Sequence, residues 1–525
     1  MNVKILRKDA NTIKMAFIKK HWFHIGLIVF SLAHFALLFS LAGVKSLWHD
    51  DIYQLFFSWD RTLGESFATI LKTDLNPPLW PFISFLWLKI APYGTAWLKL
   101  PAIILTVAAG YIFALSLKEV FNKRTGLLGA FVFAVSPLIV FECAYTFRAY
   151  GLYLFASSLI VYAYIKKTKN PSVKNRIFFG ISVFIIAFTH YFGAFLCVFL
   201  GAFDLVLAIK KKQKFNFFIE YVIVAVLEIV WLILQITTIT DALSEFWPPI
   251  PTYKSALELI RIFLHNSRNS SIVFWALALI FLTVLIVRIV KRGLSVIFTG
   301  SMYFRFVFLT TTLMMLAVSI VYCNINPASS LWVYRYFFCL YPMMMFLFIS
   351  MLVFVIRAVC LKLKKVIRII FRIAVIGLLS TLLLFNYSRW IRREVFYVYE
   401  PFEQSAELIM SEDEIKNGER VLVYNTTDCG RGWMYYLSQN NKINTDHITL
   451  MDNTDYVNNK EALLSAMSEH KTVYIYAEHL FSEQDKGKLQ ELRQHMMTTH
   501  TETVLDDDVN IEKGLRWAVF KYQIN

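Results

Sequence analysis

The sequence has little charge for its length. Only 17% of its 525 residues are Asp, Glu, Lys or Arg, whereas 57% are hydrophobic and 16% are aromatic. Soluble globular domains carry about 25% charged residues. The composition therefore excludes an ordinary soluble enzyme and predicts a polytopic membrane protein.

Several kinds of site lack their usual sequence signature. The 6 cysteines are scattered and show no CxxC spacing, so neither a zinc site nor a disulfide framework follows from them. No nucleotide-binding motif is recognisable. The C-terminal tail, residues 387–525, carries no nucleophile motif, phosphate loop or metal cluster. No internal repeat stands out either, which weighs against transporter folds built from duplicated halves.

Long apolar runs are abundant, and hydropathy predicts about 11 transmembrane helices. These predicted spans lie at about 24–43, 97–117, 127–141, 150–165, 177–189, 193–209, 217–236, 272–290, 306–322, 336–356 and 369–386. The first run is longer than the apolar region of a secretory signal, so we interpret it as a retained anchor. If the apolar stretch 78–91 were also a span, the basic cluster at 118–124 would lie outside the cell, against the positive-inside rule. We therefore expect a membrane-surface or re-entrant helix there.

Basic clusters fall on alternate loops, at 118–124, 166–176, 210–214, 291–305 and 357–368. The positive-inside rule places these loops and the basic amino terminus in the cytoplasm. An odd number of spans then sends the tail to the other side. We expect a membrane module of residues 1–386, with a first external loop at 44–96, and an extracytoplasmic domain of residues 387–525.

The tail differs from the rest of the chain in charge and in pattern. From Glu400 onward it holds about 22 acidic and 12 basic residues, so the positive excess belongs to the membrane part and no nucleic-acid partner is expected. Strands are predicted at 421–425, 471–477 and 516–524, and helices near 403–414, 461–469 and 483–497. The fold class is thus an all-α membrane protein with a small C-terminal α/β domain.

Asp50 and Asp51 directly follow the first apolar run. Charges at the edge of a membrane helix lose hydration, so two adjacent carboxylates there indicate a functional site. The alternative is a solvated helix cap, because Asp is a good N-cap residue. On the predicted topology, further polar residues reach the same external face; these are Asn76, Glu142, Arg148, His190 and Arg335.

Several motifs, taken in order, resemble one family. They are Leu47-Trp48-His49-Asp50-Asp51, Asn76-Pro77-Pro78-Leu79-Trp80, Ser136-Pro137, Arg148-Ala149-Tyr150, Thr189-His190-Tyr191-Phe192, and Tyr334-Arg335-Tyr336 with Pro342. Across about residues 20–390 the sequence resembles the GT-C membrane glycosyltransferases, in particular glycosyltransferase family 39, the protein mannosyltransferase and aminoarabinose transferase-like group.

The resemblance implies a GT-C fold in the cytoplasmic membrane and an inverting transfer of a sugar outside it. The implied donor is a polyprenyl-phosphate sugar, and the implied acceptor is a protein, a lipid or an envelope polymer. Membrane lipid would be a further partner, and neither a metal nor another cofactor would be needed. The identity of the sugar and of the acceptor stays open.

The resemblance also implies roles for individual residues. Asp50 stands at the position of the catalytic base, and Asp51, where the family usually has Glu, would orient it or share a proton. Arg335 with Tyr336, and Arg148 with Tyr150, are candidates to hold the lipid phosphate. A snorkelling anchor in the interfacial aromatic belt is the alternative for each arginine.

Three further residues are candidates for substrate contact. His190 lies at a break between apolar runs, where a hydrogen-bonded structural role is the alternative. Asn76 replaces the family's usual His and keeps hydrogen bonding without protonation. Thr146 stands where bacterial members commonly have an acid, and Glu142, one helical turn earlier, is a candidate to replace that carboxylate.

Two other functions remain open from the sequence. A transporter or flippase of lipid-linked sugars would need charges within the spans, for which Glu228 is the main candidate. A non-catalytic scaffold for cell-envelope assembly would depend on the tail and not on Asp50.

Overall fold

The computed structural model describes residues 3–59, 61–137, 139–210, 218–243, 248–264, 268–361, 363–395, 402–426, 436, 446–478, 483–510 and 514–524. Within these ranges the chain is helical up to the tail. The helices are α1 (Val3–Leu41), α2 (His49–Ser58), α3 (Leu63–Thr73), α4 (Leu79–Leu88), α5 (Thr95–Val120), α6 (Lys123–Ala134), α7 (Tyr150–Lys169), α8 (Val173–Ala187), α9 (Tyr191–Lys210), α10 (Ile219–Leu243), α11 (Tyr253–Phe263), α12 (Arg268–Arg292), α13 (Gly300–Ile325), α14 (Tyr341–Leu361) and α15 (Lys365–Val395).

Eight segments in the described part of the chain are long and apolar enough to cross a membrane. They comprise residues 20–41, 95–120, 191–210, 219–240, 271–292, 300–325, 334–361 and 365–393. Each coincides with a predicted span, and the three other predicted spans correspond to the shorter or more polar helices α6, α7 and α8. The structure confirms the predicted multi-pass helical membrane fold.

Helix α4 occupies the stretch that the hydropathy pattern left ambiguous. It has 10 residues and a length of about 15 Å, half of what a span requires. The backbone N–H of Leu79 donates to the carbonyl of Phe188 at 3.1 Å. This bond ties the start of α4 to the turn between α8 and α9, as expected for a surface or re-entrant helix.

Helix α7 lies at the centre of the bundle and packs closely against α5. A Cβ atom on Gly151 would lie 2.9 Å from the Cα of Ala102 and 2.9 Å from the carbonyl of Cys143. Small residues at such a crossing let two membrane helices approach closely. The start of α7, which carries Tyr150 and follows Arg148, is thereby fixed against α5.

The tail forms a five-stranded mixed sheet flanked by helices. Its helices are α16 (Phe402–Met410), α17 (Asp413–Lys416), α18 (Asn453–Glu469) and α19 (Glu483–Met497), and its strands are β1 (Val421–Asn425), β2 (Ile448–Asp452), β3 (Thr472–Glu478), β4 (His500–Asn510) and β5 (Gly514–Ile524). The strand order is β2-β1-β3-β5-β4, with β1 parallel to β2 and β3, and β5 antiparallel to β3 and β4.

The two faces of this sheet pack against different partners, because side chains alternate along a strand. Leu422 and Ile475 face α18 and α19. Val421 and Tyr474 face the membrane part, in a cluster with Leu47 from the segment after α1. The tail therefore lies against the loop that carries Asp50 and Asp51.

Candidate functional site

Asp50 and Asp51 lie in the first turn of α2, where they serve different purposes. The Asp50 side chain is 32% exposed, whereas Asp51 is fully buried. The Asp51 carboxylate accepts hydrogen bonds from the backbone N–H groups of Phe147, at 2.7 Å, and of Trp48, at 3.5 Å. Asp51 is thus a helix-capping residue, as in the alternative above, but it is buried rather than solvated.

Burial raises the pKa of the Asp51 carboxyl, and the nearby cations Lys99 and Arg148 oppose this shift. The bond from Phe147 ties α2 to the turn that precedes α7. Since Arg148 is the next residue, Asp51 fixes the position of Arg148 relative to Asp50. Arg148 accordingly donates from Nη1 to the backbone carbonyl of Asp50 at 3.3 Å.

Lys99 on α5 supports the same loop, although it belongs to none of the motifs. This lysine is fully buried, and its Nζ donates to the carbonyls of Ala42 at 3.1 Å and Lys45 at 2.5 Å. Those carbonyls belong to the end of α1 and to the segment that leads to Asp50. A signal was present in the sequence, because a lysine within a predicted span is costly unless it has partners.

Arg335, which precedes α14, contacts residues of both α2 and the start of α7. Its Nη1 lies 3.2 Å from Oδ2 of Asp50. The guanidinium also lies over three aromatic rings, at 4.9 Å from the centroid of Trp48, 5.4 Å from that of Tyr150 and 5.9 Å from that of Tyr334. These cation–π contacts hold a charge that is only 12% exposed.

The Nε of Arg335 is buried and has no hydrogen-bond partner in the described part of the chain. A buried donor without an acceptor costs free energy until an acceptor arrives. The guanidinium thus has an unused donor beside the Asp50 carboxylate. This is the arrangement expected of a group that receives an anionic ligand.

Glu142 approaches the same arginine from a π-helical turn, Ile139–Ala144. Its carboxylate accepts a short hydrogen bond from the hydroxyl of Tyr334. Burial raises the pKa of Glu142, and the positive charge of Arg335 opposes the shift. Thr146 donates only to the carbonyl of Glu142, at 3.0 Å, so Glu142 is the acidic side chain that this turn contributes.

His190 and Tyr336 belong to a cluster of aromatic rings near the two arginines. The His190 ring stacks on Tyr153 at 4.9 Å and lies 4.8 Å from the Tyr336 ring. Burial, together with the charge of Arg148, lowers the pKa of His190 to about 3. The imidazole is therefore neutral at physiological pH, with Nδ1 accepting from the N–H of Phe192 at 3.2 Å and Nε2 buried without a partner among the described residues.

Asn76 does not join this cluster through a hydrogen bond. Its backbone N–H and its Nδ2 both donate to Oδ1 of Asp74 at 3.1 Å. Burial raises the pKa of Asp74, and the charge of Arg148 opposes the shift. Asp74, which the motifs did not include, thus interacts electrostatically with Arg148, and Asn76 orients its carboxylate.

The assembled site at the rim of the bundle has one partly exposed carboxylate, two arginines, two buried acids, Asp51 and Asp74, and the half-buried Glu142. Asp50, Asp51, Arg148, Tyr150, Glu142 and Arg335 come from four separate segments and converge there. Within the described ranges, no three His, Cys, Asp or Glu side chains lie together in a group that could hold a metal ion. Chemically, the arrangement can accept a proton and bind an anion.

Comparison of the fold with two structures of ArnT supports the predicted architecture. The chain is similar to ArnT from Cupriavidus metallidurans bound to undecaprenyl phosphate, with a TM-score of 0.58, 10% identity, and coverage of 95% of this chain and 98% of ArnT. For ArnT in the apo state the TM-score is 0.56, with 11% identity and the same coverage. The apo oligosaccharyltransferase of Archaeoglobus fulgidus has a TM-score of 0.45 and 13% identity, over 88% of this chain and 70% of that one.

No family model matches the sequence, and no curated protein is significantly similar to it. The structural likeness extends over nearly the whole of both chains, from the first span to the tail. The chain therefore has the fold of ArnT, a multi-pass helical bundle with a small C-terminal α/β domain, as the sequence predicted.

Proposed function

We propose that this chain is an integral-membrane inverting glycosyltransferase that moves a sugar from a polyprenyl-phosphate donor to an acceptor on the extracytoplasmic side. The observation that carries the proposal is the pairing of the Asp50 carboxylate with Arg335, at 3.2 Å, at the rim of a GT-C bundle. Similarity to ArnT, whose structure contains undecaprenyl phosphate, supports a lipid-phosphate donor.

In the proposed reaction, Asp50 acts as the general base. The hydroxyl oxygen of the acceptor attacks the anomeric carbon of the sugar, and its proton passes to the Asp50 carboxylate. The new carbon–oxygen bond forms as the bond to the phosphate oxygen breaks on the opposite face, so the configuration inverts. A general base of this kind contributes about 10²–10⁴-fold to the rate.

The arginines receive the leaving group. The bond that breaks leaves its electron pair on the lipid phosphate, so negative charge grows there in the transition state. Arg335 offers its Nε, which has no partner among the described residues, and a planar set of donors. Arg148, which donates to the Asp50 carbonyl, adds a second cation. Preorganised donors aimed at a developing charge lower the barrier without reorganisation during the reaction.

The ion pair between Asp50 and Arg335 prepares both groups for these roles. The Arg335 guanidinium holds the Asp50 carboxylate at 3.2 Å until substrate binds. When the phosphate binds, it competes for the guanidinium and releases the carboxylate toward the acceptor. Asp51 and Lys99 take no part in proton transfer on this proposal, and instead hold the loop that carries Asp50.

The remaining assignments belong to the same proposal. The amino terminus lies in the cytoplasm and the tail lies outside, in the cytoplasmic membrane of the cell. Residues 1–386 form the catalytic module, and residues 387–525 cover the site or bind the acceptor. The reaction uses no cofactor, and His190, Tyr336 and Asn76 line the substrate site.

The test is transfer of radiolabelled sugar from a panel of polyprenyl-phosphate sugars into membrane material, comparing wild type with Asp50→Asn. We expect the rate to fall by about 10² or more. Glu258→Gln is the matched control, because Glu258 lies on the external helix α11, is 61% exposed and pairs with Arg261. Transfer by Asp50→Asn within about threefold of wild type would remove Asp50 as the base.

A transporter of lipid-linked sugars is the second candidate, and one observation favours it. Both carboxylate oxygens of Glu228, within the span on α10, are buried without a hydrogen-bond partner in the described part of the chain. A mid-span acid of this kind is typical of transport pathways. Movement of a fluorescent lipid-linked sugar across vesicles, lost in Glu228→Gln and kept in Asp50→Asn, would favour this function over the enzyme.

A further inference from the structure

A cleft lies at the end of the bundle opposite the candidate active site. It has a volume of about 600 Å³ and is lined by parts of α1, α6, α14 and α15. Asp50 follows the end of α1, whereas Trp22 lies near the start of its span. Likewise Arg335 precedes α14, whereas Arg357 lies near its far end.

Four basic side chains line this cleft: Lys123, Arg124, Arg357 and Arg372. No described carboxylate lies within salt-bridge distance of any of them. Glu119, at the same end of α5, pairs instead with Lys169 at 3.4 Å. The four cations therefore leave a concentrated positive charge without a counter-ion from the described part of the protein.

Apart from Asn122 and Thr125, the rest of the lining is apolar and continues toward the bilayer. Val353, Ile356 and Ile376 lie along the helices below the basic groups. Trp22 is 36% exposed, and Lys123 lies over its ring at 5.9 Å. A tryptophan at this depth is typical of the membrane interface, where headgroups and acyl chains meet. One end of the cleft thus fits an anion and the other fits hydrocarbon.

We propose that this cleft binds the phosphodiester headgroup of an anionic diacyl phospholipid, with its acyl chains along Val353, Ile356 and Ile376. Basic pockets between transmembrane helices recognise such headgroups by charge and by the donor geometry of arginine. Asn122 also lines the cleft and makes its rim polar. Its side chain is held in place because it caps α6 by accepting from the N–H of Thr125 at 3.0 Å. The proposal is independent of the function of the site at the other face.

Native mass spectrometry of the full chain in dodecyl maltoside tests the proposal. Dioleoylphosphatidylglycerol is titrated against dioleoylphosphatidylcholine, which has the same acyl chains and no net charge. We expect a single site for phosphatidylglycerol, with affinity lowered about 30-fold in Arg357→Gln/Arg372→Gln. Lys291→Gln/Arg292→Gln is the matched control, since it removes the same charge from exposed positions at the same end of the bundle.

If the control variant lost as much affinity for phosphatidylglycerol as Arg357→Gln/Arg372→Gln, the lipid would be attracted to the basic surface in general, and the proposal would be overturned. Equal binding of phosphatidylcholine would do the same, as would displacement by millimolar inorganic phosphate or by an equimolar amount of undecaprenyl phosphate. If the double variant does not give a monodisperse protein, Lys123→Gln replaces it, with an expected loss of about fivefold. Unchanged binding in a well-folded Lys123→Gln protein would also count against the site.

Discussion

Replacing Arg335 is the sharpest test of how the proposed site works. Arg335→Gln removes the cation beside Asp50 and leaves three aromatic rings around an uncharged amide. If the guanidinium stabilises the leaving phosphate, the rate of transfer should fall far more than the affinity for the donor. Arg335→Lys should give an intermediate rate, because lysine keeps the charge and loses the planar fork.

The magnitude follows from the environment of the side chain. Arg335 is only 12% exposed, so water can replace it poorly. Loss of one preorganised donor to a developing oxyanion costs about 10²–10³-fold in rate. Asp50 is 32% exposed, so loss of its pair with Arg335 should lower the free energy of unfolding by at most about 3 kcal/mol.

The assay is single-turnover transfer from a saturating radiolabelled polyprenyl-phosphate sugar, with gel filtration and thermal unfolding as checks of the fold. Arg261→Gln is the control, because Arg261 is 46% exposed on α11 and pairs with Glu258. Arg335→Gln also leaves Glu142 without its cation, so the double variant Arg335→Gln/Glu142→Gln removes that unpaired charge. A rate within about threefold of wild type in folded Arg335→Gln would refute the clamp.

Two further predictions concern groups that support the site. Lys99→Met leaves two backbone carbonyls without their donor, and should lower the free energy of unfolding in detergent by about 2–4 kcal/mol, whereas the exposed Lys89→Met should change it by less than about 0.5 kcal/mol. His190 has its pKa lowered from 6.5 to about 3, so the unfolded chain binds a proton that the folded one does not, and stability falls as the pH drops below 6.5. Between pH 7 and pH 5 this loss is about 2 kcal/mol, and His190→Gln should remove that part of the shift in thermal midpoint; an unchanged shift would mean that His190 is not buried in its neutral form.

The sheet of the tail shows which strands a sequence reveals. The three predicted strands are β1, β3 and β5, the interior strands of the order β2-β1-β3-β5-β4. The two that were missed, β2 and β4, are the edges. Edge strands are short or charged, which prevents pairing with other chains. β4 carries Asp506, Asp507 and Asp508 in succession, so it lacks the alternation by which a strand is recognised.

The candidate site divides in a similar way. The motifs located Asp50, Arg148 and Arg335, because a membrane edge makes charged residues conspicuous in an apolar sequence. They did not reveal that Asp51 would accept a hydrogen bond from the backbone of Phe147 or that Lys99 would bond the end of α1. Those roles depend on how closely helices approach, as at Gly151, and this distance is set by tertiary packing rather than by local sequence.

The tail helps to position the candidate site, because it bonds α5 and the segment between α1 and α2 that leads to Asp50. The Tyr436 hydroxyl lies 2.9 Å from Oγ1 of Thr95 and accepts from the N–H of Leu47 at 3.0 Å. Glu403 accepts from the same threonine at 2.7 Å. Thr95 is one helical turn before Lys99 on α5. Lys99 bonds the segment between α1 and α2 directly, whereas Thr95 reaches it through Tyr436. Lys99 bonds that segment at Ala42 and Lys45, and the tail bonds it at Leu47, so a change in the tail reaches Asp50 through backbone that both restrain.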